Sequence, residues 1–304
     1  MHSLLPVAFL FWQANPAADT GVVIVRLTDS VTQLPIAGAD IGGFAMSLPR
    51  PRFFRGKTDA EGVGRVEHVG GGGYDVSVKR LGYVDWRRPL RVTVVPGSEV
   101  VLKMSLEPTA SVEGRVLGED GEALPGVTIH AMGGEGFALH GESGNDGSFK
   151  VEHLPPGNIR FRLLFPADRI KASLRTDPSG RERRSYPGSQ FHPGVETEVQ
   201  ASPVAIAAGV KLTGFVLNAR RTRIVEFSGR LIDSVSRLPL TEGEVELVPD
   251  GGGMVDETFG RRRVTGEPAK FLFPYVPPGS YWLLVYGGDR PEWIPFATDR
   301  KSVV

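Results

Sequence analysis

The chain has 304 residues, with 35 Lys and Arg against 35 Asp and Glu, so its formal net charge is zero. That balance excludes a nucleic-acid footprint running over the whole chain. The absence of cysteine excludes disulfides, thiol nucleophiles, Cys-based zinc sites, iron–sulfur clusters and lipidated-Cys anchors. The length suits two or three domains of about 100 residues. The 39 glycines and 24 prolines imply many turns, and a hydrophobic content of 40% is enough for real cores.

From the N-terminus, residues 4–12 form an apolar run broken only by Pro6. It is too short to cross a bilayer as a helix, which takes about 20 residues, but it fits the apolar stretch of a signal peptide. Ala14, Ala17 and Ala18 follow where cleavage would fall, although no Lys or Arg precedes the run. Residues 1–18 are therefore expected to be a leader, and the protein to be secreted, periplasmic or in the cell envelope. Nothing in the chain reads as a transmembrane helix.

Downstream, one order of signals occurs three times. Alternating strands open each copy at residues 22–27 (VVIVRL), 111–117 (SVEGRVL) and 225–232 (VEFSGRLI). Each is followed by a polar turn and a Leu-Pro step: Leu34-Pro35, Leu124-Pro125 and Leu238-Pro239. Proline fixes φ and lacks an N–H, so it belongs at a strand entry rather than inside a ladder. Second strands are expected at 39–45, 127–132 and 244–248. An Asp- and Gly-containing turn follows at 59–62 and 145–147, degenerate at 266–268. A Gly- or Pro-Gly-rich turn then enters a strong strand at 70–78, 154–163 and 276–285. No stretch of ten residues keeps a helical apolar period. The pattern predicts an all-β protein of tandem sandwiches.

The expected domains are 19–108, 109–222 and 223–304. The second carries an extra segment, residues 167–188, which is polar, Arg-rich and aperiodic and reads as an exposed loop insertion. The third copy supplies no counterpart of the strands at 92–106 or 204–217, and residues 299–304 (DRKSVV) are unlike the repeat. The third sandwich is therefore expected to be incomplete and the chain to be a fragment.

These motifs resemble the carboxypeptidase regulatory-like family, whose domains are seven-stranded transthyretin-like (prealbumin-like) β-sandwiches. The second copy carries most of the resemblance: Gly114-Arg115-Val116, Leu124-Pro125-Gly126-Val127, Asn145-Asp146-Gly147-Ser148-Phe149 and Leu154-Pro155-Pro156-Gly157. The first keeps Ala37-Gly38-Ala39 and residues 58–62, and the third keeps Gly229, Pro277-Pro278-Gly279 and Tyr281. The resemblance implies accessory, non-catalytic domains of extracytoplasmic bacterial proteins, found beside peptidases and TonB-dependent receptors.

Chemistry is sparse. None of the six histidines has Glu three residues later, and His68 and His153 sit at equivalent repeat positions. No metal or cofactor is expected. Residues 70–73 open a strand rather than the helix a phosphate loop requires. Residues 142–147 offer oxygen ligands, but His153 stands where a calcium loop places its bidentate Glu. None of the first strands carries the Lys of an isopeptide crosslink. The basic clusters at 181–184, 220–223 and 261–263 read as solvated charge, or as contacts to an anionic glycan or lipid headgroup. Tyr83, Trp86 and Trp293 are candidate sugar-stacking platforms, whereas Trp282 falls on a strand and reads as core. The leading reading is a non-catalytic structural or binding array, with polysaccharide or a cell-envelope protein as partner and no nucleic acid. The alternatives are a carbohydrate-binding protein of similar fold, or the N-terminal part of a larger TonB-dependent receptor or peptidase.

Overall fold

The computed structural model describes residues 19–45, 51–85, 89–133, 138–233, 235–249, 260–286 and 291–298, with 249 and 291–298 described by backbone alone. The expected leader, residues 1–18, lies outside them. The protein is all-β. The chain divides into two compact units, Met1–Ala110 and Ser111–Val304.

In the first unit the strands are β1 (Thr20–Asp29), β2 (Asp40–Ala45), β3 (Arg52–Lys57), β4 (Val63–Gly70), β5 (Gly72–Lys79), β6 (Leu90–Val94) and β7 (Glu99–Leu106). They form two sheets, ordered β4-β1-β7 and β3-β2-β5-β6. β7 runs parallel to β1, while the other pairings are antiparallel. Alternation decides the faces. Val23, Val25 and Leu27 of β1 point inward and meet Ile41, Val76 and Val78 from the other sheet in one core.

The second unit opens with β8 (Ala110–Leu117), β9 (Thr128–Met132), β10 (Ala138–Glu142), β11 (Ser148–Leu154) and β12 (Gly157–Leu164). Helix α1 (Ala167–Ala172), β13 (Arg175–Thr176), β14 (Arg183–Ser185), β15 (Ser189–Phe191), β16 (Val204–Ile206) and β17 (Lys211–Asn218) follow. β11-β8-β17 and β10-β9-β12 repeat the first sandwich, with β16 on β12 as β6 is on β5 and β15 pairing further along β12, and β17 again runs parallel to the opening strand. The last strands are β18 (Thr222–Arg230), β19 (Glu242–Pro249), β20 (Arg262–Thr265), β21 (Lys270–Val276), β22 (Gly279–Tyr286) and β23 (Pro291–Thr298). They make sheets β13-β14-β18-β21 and β20-β19-β22-β23 around Val245, Leu247, Phe271 and Phe273.

Two expectations need correction. Residues 167–188 are largely exposed but are not an irregular loop. Pro166 precedes α1, whose Ile170 is fully buried, and β13 and β14 form a hairpin closed by the Glu182 N–H donating to Asp177 Oδ1. β14 then pairs with β18 at Thr222–Ile224. The segment read as loop because α1 spans under two turns, too few to display a helical period. Among the described residues, one of the closing strands expected to be missing from the third copy has a counterpart. β23 stands on β22 as β6 stands on β5.

The repeat extends to the turns. In copies one and three, Asp29 and Asp233 each accept two backbone N–H groups, from Val31 and Thr32 and from Val235 and Ser236. The residue before each of these Leu-Pro steps, Gln33 or Arg237, has a positive φ of 60° or 59°. In copies one and two the buried hydroxyls of Thr58 and Ser143 bridge across the Leu-Pro segment. Thr58 Oγ1 donates to the Ile36 carbonyl at 2.7 Å and accepts from the Ala39 N–H at 2.9 Å; Ser143 Oγ donates to the Leu124 carbonyl and accepts from the Val127 N–H at the same distances. Gly62 and Gly147, four residues on, adopt φ of 72° and 77°. A Cβ there would lie 2.5 Å from the Leu27 carbonyl oxygen or 2.7 Å from that of Val116, so only glycine fits.

Candidate functional site

The outer face of sheet β3-β2-β5-β6 carries an open surface with exposed aromatic and charged side chains. Alternation turns Asp40, Gly42 and Phe44 outward along β2. Register sets Phe44 opposite Phe53 on β3 and Asp75 on β5, with Arg91 beyond on β6. Gly42 lies between Arg55 and Ser77, and Asp40 between Lys57 and Lys79. Phe53 and Phe44 are 73% and 45% exposed. Adjacent Phe54 points inward, across Gly43, where a Cβ would meet its ring at 2.1 Å. Gly42 has no such neighbour inside. Its missing side chain leaves a trough floored by Gly42 and Ser77, made of two adjoining hollows of about 320 and 540 Å³.

The charges of this face are mostly paired. Lys57 Nζ meets Asp40 at 3.1 Å, Lys79 Nζ meets Asp85 at 3.0 Å, and Arg91 lies 4.0 Å from Asp75. Among the described residues, Arg55 takes part in no ion pair and borders the trough beside Phe53.

Of the residues singled out from sequence, Tyr83 packs against the first core, and its hydroxyl donates to Asp29 Oδ2 at 3.0 Å. Burial pushes the Asp29 carboxyl up. The Thr32 and Val31 N–H groups and the Tyr83 hydroxyl outweigh it, and the pKa lies below the ordinary value. Trp86 lies outside the described residues. Trp293 falls on β23, opposite Leu284. Phe44 and Phe53 were not singled out.

The basic clusters are largely tied down. Arg183 pairs with Glu226 at 2.7 Å, Arg263 with Glu242 at 2.9 Å, and Arg261 with Glu244. Arg221 is buried. Its NH2 reaches Asp120 at 2.9 Å and Glu122 at 3.1 Å, its Nε donates to the Ser173 carbonyl at 3.1 Å, and it lies 5.1 Å from the Tyr186 ring. Beside it a polar cleft of about 680 Å³ is bordered by Glu119, Arg184, Glu196, Arg220 and Arg223. Its walls bind each other: Arg184 donates to the Arg221 carbonyl, and Gln190 exchanges two hydrogen bonds with the Arg220 backbone.

On sheet β10-β9-β12-β15, His140, His130 and Arg162 stand opposite one another, with Phe191 beyond. Burial, then the charge of Arg162 and His140, holds the His130 pKa below its ordinary value. His68 and His153 share the left-handed conformation, φ 57° and 60°, at the turn before the strong strand. Among the described residues no three His, Asp or Glu side chains gather to hold a metal ion. No helix among them is long and apolar enough to cross a membrane.

No family model and no curated protein matches the sequence. Solved structures give loose likenesses. The chain is similar to the Bacillus anthracis TIE protein at 14% identity and TM-score 0.29, over 92% of this chain and 48% of that one, so it spans about half of that protein's length. It is also similar to GBS52, the minor pilin of Streptococcus agalactiae, at 11% identity and TM-score 0.40, over 66% of this chain and 96% of that one. A streptococcal ancillary pilin gives 15% identity and TM-score 0.32, over 92% and 96%.

Proposed function

We propose that the protein is a non-catalytic, extracytoplasmic scaffold built of carboxypeptidase regulatory-like sandwiches, with its binding function on exposed sheet faces. One observation supports this above others. Several of the polar side chains buried in its repeats hold backbone segments in place. Asp29, Thr58, Ser143 and Gln190 all hydrogen-bond main-chain groups, and Arg221 closes the junction between β17 and β18. A catalytic pocket would instead direct such groups at a vacant space where a substrate could lie. Partners suited to a cell envelope are a polysaccharide or another envelope protein.

The test is a turnover screen of the purified protein against peptide, ester and glycoside substrates, with and without added zinc or calcium. The expected result is no product above background. Turnover that co-purifies with the protein and is changed by substitutions in it would overturn the reading.

A further inference from the structure

We propose that the trough on the outer face of sheet β3-β2-β5-β6 binds a carboxylate-bearing polysaccharide, with one sugar ring stacked on the Phe44–Phe53 pair. The proposal rests on the scaffold reading above and gives it a ligand class.

Three observations converge. First, two aromatic rings are held out to solvent on directly opposed residues of a rigid sheet, 45% and 73% exposed. Opposed residues on neighbouring strands place their Cβ atoms about 5 Å apart. Each ring can offer an apolar face to a sugar, and both border the same hollow. Aromatic faces carry negative potential, and the C–H bonds on a sugar's apolar face are polarised positive by their oxygens, so the two stack.

Second, the platform continues into open space. Gly42 removes the side chain that would otherwise block the middle of β2, and a ligand can approach the backbone closely at a strand glycine. Ser77 offers a hydroxyl on the floor, 3.4 Å from where a Gly42 Cβ would stand. The trough runs from the aromatic end to the Asp40, Lys57 and Lys79 end, which suits a linear chain of several sugars.

Third, the charge is complementary to an acid. Each carboxylate on or bordering this face, Asp40, Asp75 and Asp85, faces a cation, whereas Arg55 has no ion-pair partner among the described residues. Its planar guanidinium can take a carboxylate with two parallel hydrogen bonds. A protein partner fits less well. Among the described residues the apolar area is confined to two side chains and is bounded by charged rows, without the contiguous apolar centre of a protein interface.

Affinity electrophoresis in native gels tests this, using polygalacturonate and alginate as acidic polymers and dextran and xylan as neutral ones. The expected result is retardation by an acidic polymer. Phe53→Ala and Phe44→Ala should each weaken it about three- to tenfold, the range of an aromatic contact. Arg55→Gln should remove the preference for acidic over neutral polymers. All three sites are exposed, so thermal melts of the variants should match the wild type. No retardation by either acidic polymer would overturn the proposal, as would equal retardation by neutral polymers or retardation that the phenylalanine variants leave unchanged. Sedimentation showing a dimer that Phe53→Ala dissociates would assign the face to a second copy instead. Any of these results, combined with no turnover in the substrate screen, would reject the glycan site and leave the scaffold reading standing.

Discussion

Arg221 offers the sharpest test of how residues 111–304 hold together. It lies between β17 and β18, is only 5% exposed, and touches Glu119, Asp120, Glu122, the Ser173 carbonyl and the Tyr186 ring. Tyr186, itself buried, donates its hydroxyl to Glu122 Oε1 at 2.6 Å. Removing one partner from a buried ion pair costs about 3–5 kcal/mol. Here the three carboxylates are 36–63% exposed and can regain water, which puts the loss at the low end. The Ser173 carbonyl also loses its charged donor, worth about 1 kcal/mol or more. Arg221→Ala should therefore destabilise the second unit by about 3 kcal/mol. For a unit of about 200 residues that lowers the melting temperature by about 6–12 °C. Calorimetry, with hydrogen exchange to assign each transition, should show this shift in residues 111–304 and none in residues 1–110. Arg221→Lys should recover only part of the loss, because a lysine cannot reproduce the fork of contacts. Arg221→Met with Glu122→Gln should be more stable than Arg221→Met alone. If Arg221→Ala lies within about 0.5 kcal/mol of wild type, the change expected at an ordinary surface site, the reasoning is wrong.

Other expectations follow from the turns and titrating groups. Thr58→Val and Ser143→Ala each leave a buried N–H and carbonyl unsatisfied and should each cost about 1–3 kcal/mol, in the first and second unit respectively, by urea denaturation. The Ser148 hydroxyl and N–H, with Arg115 beside them, lower the pKa of the exposed Asp146 carboxyl to about 2. A depressed acid stabilises above its unfolded value and loses that contribution as pH falls. The part of the acid sensitivity between about pH 4 and pH 2 that belongs to this turn should vanish in Asp146→Asn. Burial raises the pKa of Tyr186, helped by its hydrogen bond to Glu122, and burial also raises Tyr281. A raised phenol contributes stability below its unfolded value of about 10 and loses it as pH rises. Alkaline unfolding of the second unit should coincide with tyrosinate absorbance, and Tyr281→Phe should shift it to higher pH.

The succession of strands was legible because strands such as β1, β2 and β7 alternate and turns between them carry Pro, Gly or Asp. Leu124-Pro125, Gly147 and Pro155-Pro156 all fall between strands in the structure, and Gly157 opens β12. The inserted hairpin was not legible. Its inward residues are few, chiefly Ile170, Ser185 and Tyr186, and its hold on β18 is a three-residue pairing with no periodicity to detect. The trough was half legible. Phe53-Phe54 is an adjacent aromatic pair shortly before the turn at 59–62, and in a strand one of two neighbours must face out. What the sequence could not show is that Phe44 is its cross-strand partner, since that pairing depends on the register of β2 against β3. Tyr83 illustrates the reverse. A Gly-Tyr step looked like an exposed platform, but the ring is used against the core and its hydroxyl on Asp29.

The scaffold reading places the protein outside the cytoplasm, and its most direct test is fractionation of the native host with mass determination of the recovered chain's N-terminus. The account predicts recovery from the periplasm, envelope or medium, with a chain starting just after one of residues 14–18. Recovery from the cytoplasm with Met1 in place would contradict it.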